Sequence, residues 1–391
     1  MRRLLTAALL LVVLAGAASA PARTPRIVGG SPADGGEFPW VAGLKIAIDS
    51  DQPNALCAGS LIAARWVLTA GHCLAEGTVD TAHSVAILGT TNLETARPAQ
   101  EYGWKSILVD PDYLTGGGGS DVGLIELDRP APLRQLRLLR PSETVLWAPE
   151  QTAIVAGWGF TEDPDDGGFL STNQLNQVAL RIYSDNDCRA AFDKAGGSDS
   201  LDFATELCAL APGKDACNGD SGGPLMVADP TTGSFALAGA VSFGIGNGGL
   251  LGGNRSCNEG PPGVYSRLGA DPLNAFVRAH VPQVEIDYRP RMPAAGQPVR
   301  LTARATAPGE PGRFGGYDYL SWDLNGDGRF GQAGGQVHVL HAMRPGVRVV
   351  GVRATSADGD NETRTVRILV GPNVPLGPVR RTGALAGRYL R

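Results

Sequence analysis

Three short stretches of the 391-residue chain hold the residue types of a nucleophilic serine site. Ser221 lies in Cys217-Asn218-Gly219-Asp220-Ser221-Gly222-Gly223-Pro224. His72 lies in Thr69-Ala70-Gly71-His72-Cys73, and Asp121 opens the apolar run Val122-Gly123-Leu124-Ile125-Glu126-Leu127. A serine hydroxyl is a weak nucleophile at neutral pH and needs a base within hydrogen-bond reach. Histidine titrates near neutrality, so it can take that proton and return it to a leaving group. A buried aspartate would hold the imidazole in one tautomer and stabilise the imidazolium. Gly219 leaves the backbone free to turn its N–H outward, and with the N–H of Ser221 it would form an oxyanion hole. One such donor is worth about 3–4 kcal/mol to the transition state. Each piece alone is commonplace: a lone buried histidine is more often a core residue, and Gly-Asp-Ser-Gly-Gly can be a plain turn. The order His, Asp, Ser, with Cys73 and Cys217 beside two of its members, makes a catalytic triad the reading.

The elements that must position these residues are strands. Short β-branched or alternating runs at 40–48, 85–88, 154–156 and 237–242 are separated by clusters of Gly, Pro and Asp, the pattern of an all-β protein. At the N-terminus, Met1-Arg2-Arg3 is followed by an apolar run over 4–18 and then small residues. That reads as a secretory signal peptide over 1–20, too short to anchor in a membrane. Cleavage is expected after Ala17 or Ala20, the second disfavoured by Pro21. The six cysteines all lie between 57 and 257, and in an exported chain an even number points to disulfides. Spacing alone leaves fifteen connectivities open. No second apolar span implies a membrane anchor, and no motif implies nucleic acid. Residues 27–282 hold 15 Lys and Arg against 30 Asp and Glu, whereas 283–391 hold 15 against 9. An acidic body would steer basic substrates inward, and it would equally serve solubility.

Residues 27 to about 282 resemble a secreted trypsin-like serine protease of the chymotrypsin fold. The resemblance runs through Arg26-Ile27-Val28-Gly29-Gly30, Cys57-Ala58-Gly59-Ser60-Leu61-Ile62, Trp66 to Cys73, Gly157-Trp158-Gly159, the serine motif, and Pro262-Gly263-Val264-Tyr265. It implies two six-stranded antiparallel β-barrels with the active site in the cleft between them, and a closing helix over 272–280. It implies the disulfides Cys57–Cys73, Cys188–Cys208 and Cys217–Cys257, which leave no free thiol and no cysteine-based metal site. No cofactor and no metal are expected. It also implies a zymogen with a propeptide over 21–26. Cutting between Arg26 and Ile27 would free an α-ammonium on Ile27 that inserts and pairs with Asp220, ordering the oxyanion loop. Removing one partner of such a buried pair costs about 3–5 kcal/mol, so the uncut chain should lack a formed site.

The resemblance further implies that Asp215, six residues before Ser221, lies at the floor of the primary specificity pocket, where a carboxylate selects Arg or Lys. Ser242, Phe243 and Gly244 are expected to bind substrate, and Gly244 and Gly263 match the glycines that keep the pocket walls open. Arg26 fits that specificity, so self-activation follows as a hypothesis. Three departures stand out. Phe243 replaces the usual tryptophan, a Gly-rich insertion fills 245–256, and Thr90 stands where calcium-binding trypsins have glutamate, so no calcium site is carried over.

After about residue 282 cysteine disappears and arginine and proline rise. Runs at 284–288, 299–305, 347–353 and 365–370 alternate with period two, the pattern of a small β-sandwich over 283–370, large enough for its own core. Leu320-Ser321-Trp322-Asp323-Leu324-Asn325-Gly326-Asp327-Gly328 and Pro345-Gly346-Val347-Arg348-Val349 resemble a PKD-type immunoglobulin-like module. Residues 323–328 also match the first half of an EF-hand loop, but Gly334 stands where its bidentate glutamate belongs, so a tight hairpin turn is the better reading. Residues 371–391, basic and rich in Gly and Pro, read as a flexible tail. Together these features predict a secreted, monomeric endopeptidase acting on protein or peptide substrates after Arg or Lys. The C-terminal module would take a protein or polysaccharide ligand. The competing class is an inactive protease homologue that binds through this module.

Overall fold

The computed structural model describes residues 27, 29–116, 119–160, 173–196, 201–229, 234–244, 260–306, 317–341, 343–356 and 361–372. The first barrel uses β2 (Val41–Ile46), β3 (Ala55–Ala63), β4 (Trp66–Thr69), β5 (Val85–Leu88), β6 (Glu101–Val109) and β7 (Gly123–Leu127), after a two-residue β1 (Ser31–Pro32). They close antiparallel in the order β2-β3-β4-β7-β6-β5. In β4 and β7, Thr69 stands opposite Gly123. The residues leaving β4 and those entering β7 therefore meet at one rim of the barrel, which brings His72 and Asp121 together. His72 begins a single turn of helix, α1 (His72–Ala75), and α2 (Pro111–Leu114) is another single turn.

The second barrel follows β8 (Arg137–Leu138). It contains β9 (Thr152–Gly157), β10 (Asn176–Ile182), β11 (Glu206–Leu210), β12 (Pro224–Asp229), β13 (Ser234–Phe243) and β14 (Gly263–Arg267). The ring runs β9-β10-β11-β14-β13-β12 and closes where β12 pairs back onto β9. One apolar cluster fills the first barrel and continues into the second through Met226, Leu237 and Ala240. A second cluster, including Val155, Leu180, Leu225 and Tyr265, fills the other ring. The Trp40 indole N–H points at Met226 Sδ at 3.2 Å across the join. Both barrels expected from the sequence are present. An 11-residue helix, α3 (Asp185–Ala195), was not expected. Its signals are a Ser184 cap on the Asp187 N–H, Cys188 and Phe192 one turn apart on the buried face, and Gly196 left-handed at its end.

The predicted closing helix is present as α4 (Leu273–His280), and β15 (Gln283–Arg289) follows almost at once. Then come β16 (Val299–Thr306), β17 (Tyr317–Asp323), β18 (Ala333–Gly334), β19 (Val337–Leu340), β20 (Gly346–Ser356) and β21 (Asn361–Val370). They form two sheets, β15-β16-β19 and β18-β17-β20-β21, around Trp322, Tyr288, Leu301, Val350 and Ile368. The period-two reading holds in β16, where Val299, Leu301, Ala303 and Ala305 are buried and Arg300 and Arg304 are exposed, but not in the run 347–353, where Val347 and Val349 are exposed and Val350 and Val352 are buried. Residues 323–328 form a hairpin loop between β17 and β18. Its buried Asp323 carboxylate accepts the Gly326 and Gly328 N–H groups at 2.7 and 2.8 Å, so it closes the turn. Among the described residues no helix is long and apolar enough to cross a membrane.

Candidate active site

His72 and Asp121 are joined twice. Asp121 Oδ1 accepts the His72 backbone N–H at 2.8 Å, and Oδ2 lies 2.8 Å from His72 Nδ1. The first bond fixes the backbone; the second fixes the ring, leaving Nε2 for other chemistry. Asp121 is 4% exposed. Two residues that the triad motifs do not include complete its cage. Ser242 Oγ donates to Oδ2 at 2.5 Å, and Ser266 Oγ donates to the Asp121 carbonyl at 2.6 Å. Burial alone would raise the Asp121 carboxyl, but the His72 and Ser242 bonds and the His72 charge outweigh it and hold the group low. Burial likewise pushes His72 down, but the Asp121 bond and charge win and raise it above the ordinary histidine value.

Ser221 is carried on a loop stitched to both barrels. Its carbonyl accepts the Ala58 N–H of β3 at 2.7 Å, and the next N–H, of Gly222, donates to Val241 of β13 at 2.7 Å. Cys73, tied to Cys57 by a disulfide, has its Sγ 3.8 Å from the same Ser221 carbonyl. The loop therefore rests against the residue next to His72. Among the described residues no hydrogen bond joins Ser221 Oγ to His72, whose side-chain bond is to Asp121; such catalytic bonds often tighten only in the substrate complex. The N–H groups of Gly219 and Ser221 have no protein acceptor among the described residues, as an oxyanion site requires. Gly219 adopts φ +93°. Cys57, His72 and Cys73 lie close enough for a metal, but the two sulfurs are spent in their disulfide.

Asp215 is 3% exposed, with Oδ1 accepting the Ala216 N–H at 2.8 Å. Burial, reinforced by the charge of Asp220, pushes it up to about 8 against the pull of its N–H donors. A Cβ at Gly263 would lie 2.7 Å from Asp215 Oδ1, so only glycine leaves the carboxyl its place. The Tyr265 hydroxyl is buried near the same carboxylate and finds no well-formed hydrogen bond. A side chain at Gly244 would meet no described residue, and Phe243 packs half-buried on the cluster of Cys188, Phe192, Cys208 and Val264. The insertion at 245–256 lies outside the described residues.

Asp220 is fully buried. Its oxygens accept the Gly159 N–H at 2.8 Å and the Cys217 N–H at 3.0 Å, with no cation beside it among the described residues. Burial pushes it up to about 6. A Cβ on Gly159 would lie 2.5 Å from this carboxyl, which gives the Gly157-Trp158-Gly159 motif a physical reason. Ile27 is fully buried in the core of the second barrel beside Leu139, Val155 and Leu180. Arg26 lies outside the described residues. The expected Cys57–Cys73 and Cys188–Cys208 disulfides are present, with Cα separations of 6.4 and 6.0 Å. Cys217 is also disulfide-bonded, while its expected partner Cys257 lies outside the described residues.

The family profile described as Trypsin matches residues 27–270, so the chain belongs to the trypsin family of serine proteases. Among curated proteins it is 31% identical over 248 residues to transmembrane protease serine 9 of Rattus norvegicus, covering 62% of this chain and 21% of that protein. It is 31% identical over 261 residues to the venom serine protease Bi-VSP of Bombus ignitus, covering 62% and 65%. It is 32% identical over 255 residues to vitamin K-dependent protein C of Rattus norvegicus, covering 63% and 50%. The chain thus spans from about a fifth to just under two thirds of the length of these relatives.

Proposed function

We propose that the protein is a secreted serine endopeptidase, made as a zymogen and cleaving after Arg or Lys. The observation that carries this reading is the caged Asp121–His72 pair facing a serine loop whose two amides are unspent. His72 Nε2 takes the Ser221 proton as Oγ attacks the scissile carbonyl, and the Gly219 and Ser221 N–H groups hold the oxyanion. Collapse expels the amine, which receives that proton from His72 and leaves an acyl-enzyme. A water, deprotonated by His72, attacks the ester and restores Ser221.

Asp215 supports the specificity reading. A carboxyl held at about 8 by burial, with no cationic partner among the described residues, favours a guanidinium or ammonium that can pair with it. The zymogen reading is supported by Asp220, buried with only N–H partners among the described residues, and by Ile27, already seated in the second barrel. The new Ile27 ammonium would supply the missing cation. The C-terminal β-sandwich fits a PKD-type module with a protein or polysaccharide ligand. Residues 373–391 lie outside the described residues; their Arg380-Arg381 pair matches the proposed specificity.

The test is hydrolysis of matched peptides ending in Arg, Lys, Phe or Ala, before and after cutting at Arg26, with a fluorophosphonate to count active serines. Activity on Arg and Lys alone, only after the cut, is expected. Activity on Phe or Ala would overturn the role of Asp215. A cut protein that neither hydrolyses nor takes label would leave a binding protein on a protease scaffold.

A further inference from the structure

A buried carboxyl stands one strand away from a residue that holds Asp121. Glu206, the first residue of β11, is 1% exposed. Its Oε2 accepts the Asp202 N–H at 2.8 Å, whereas its Oε1, equally enclosed, has no hydrogen-bond partner. Side chains alternate along a strand, so Glu206 shares a face with Cys208 and, across the ladder, with Ser266 and Val264 of β14. Cys208 and Val264 belong to the cluster on which Phe243 packs. Ser266, directly opposite Glu206, is the residue whose hydroxyl holds the Asp121 carbonyl. The loop before Asp121 closes the remaining side: a Cβ at Gly119 would lie 3.1 Å from Asp202 Cβ and would collide with Thr205 Oγ1.

We propose that Glu206 is a positioning residue of the catalytic machinery, acting through Asp121 on how tightly His72 holds its proton. The proposal rests on the reading of His72, Asp121 and Ser221 as a triad. The charged groups facing Glu206 are Asp202 on its own loop, Asp121 on the first barrel and Arg267 on β14; those acting on His72 are Asp121 and Glu76, the residue that ends its own helical turn. Arg267 donates to the Glu206 carbonyl and is engaged by Asp185 of α3. Burial, with Asp202 and Asp121 adding to it and the Asp202 N–H and Arg267 opposing, lifts Glu206 to about 7. Its charge therefore changes in the range where a serine protease works. When ionised, Glu206 adds a second negative charge behind Asp121 and favours the imidazolium formed as Ser221 attacks; when protonated, it does not.

The test is an NMR titration of the His72 ring protons in the full chain cut at Arg26, for wild type and Glu206→Gln. The His72 pKa is expected to fall by about half a unit to one unit in the variant, the size of one charge acting through a protein interior. The wild-type curve should also show a second inflection near neutrality as Glu206 ionises. The acid limb of kcat/KM should shift with His72 while the fraction of serine labelled by fluorophosphonate stays unchanged, which separates this effect from a merely structural one. Superimposable His72 titrations would overturn the proposal. If Glu206→Gln does not fold, the wild-type curve decides, and a single inflection would overturn it. Failure of the triad reading looks different: wild type would neither hydrolyse nor take label, while the titration remained readable.

Discussion

Glu362 Oε2, on β21 of the C-terminal sandwich, accepts the backbone N–H of Ala64 at 2.8 Å, in the β3–β4 turn of the first barrel. The contact spans 298 residues of sequence and is buried. On the side of the second barrel, Glu285 of β15 lies within 3.3 Å of both Arg140 and Arg278. The sandwich thus holds groups from both parts of the protease body.

Glu362→Ala should therefore destabilise the whole chain. It strips a buried N–H of a charged acceptor, a loss of about 1–3 kcal/mol. Urea unfolding at neutral pH would check this; an unchanged midpoint would mean that the contact carries no energy.

Asp121→Asn should lower kcat by about four orders of magnitude with a small change in KM, because the wrong imidazole tautomer is then favoured. Acid titration provides a second readout. The wild-type acid limb should lie above the ordinary histidine value of 6.5, since Asp121 raises His72, and residual activity in the variant should move that limb downward. A limb that stays in place would contradict the assignment of His72 as the base.

Asp215 should couple pocket occupancy to protons. Burial pushes its carboxyl up to about 8, well above its ordinary 3.8. A bound benzamidinium would favour the carboxylate, so binding near pH 7 should release a proton and tighten as pH rises toward 8. Calorimetry in two buffers of different ionisation enthalpy would detect the release. Identical heats in both buffers would rule it out.

The same carboxyl shapes stability. Its folded value is raised, so the folded state binds more protons than the unfolded one between pH 4 and about 8. Its contribution therefore falls as pH rises through that window. Asp215→Asn should flatten this loss, making the variant relatively more stable at pH 8 than at pH 5 by comparison with wild type. Parallel urea curves for the two proteins at both pH values would refute this.

Asp220→Asn should leave a chain that is cut at Arg26 yet takes little fluorophosphonate label, because the freed Ile27 ammonium would lose its partner. Full labelling of the cut variant would show that the serine loop orders without this pair.

Much of the site is written in local sequence. Residue type and chain order mark His72, Asp121 and Ser221, because each role demands a particular functional group. Period-two alternation marks β15, β16 and β21, because successive side chains of a strand must face opposite sides. Other features are decided only by the fold. Ser266 reaches Asp121, and Glu206 stands opposite Ser266, because β11 and β14 pair in one register and that sheet meets the rim of the other barrel. Nothing local distinguishes Ser266 from any other strand serine. Glu206 even breaks the apolar pattern without announcing a partner. Gly159 stands out by motif, but the reason for it, the Asp220 carboxyl in the space of its missing side chain, requires the two chain segments to be packed together. The bond from Glu362 to Ala64 was likewise beyond sequence reading. Alternation and spacing report what a residue does with its neighbours along the chain; which distant group finally satisfies a buried polar atom depends on how complete sheets dock.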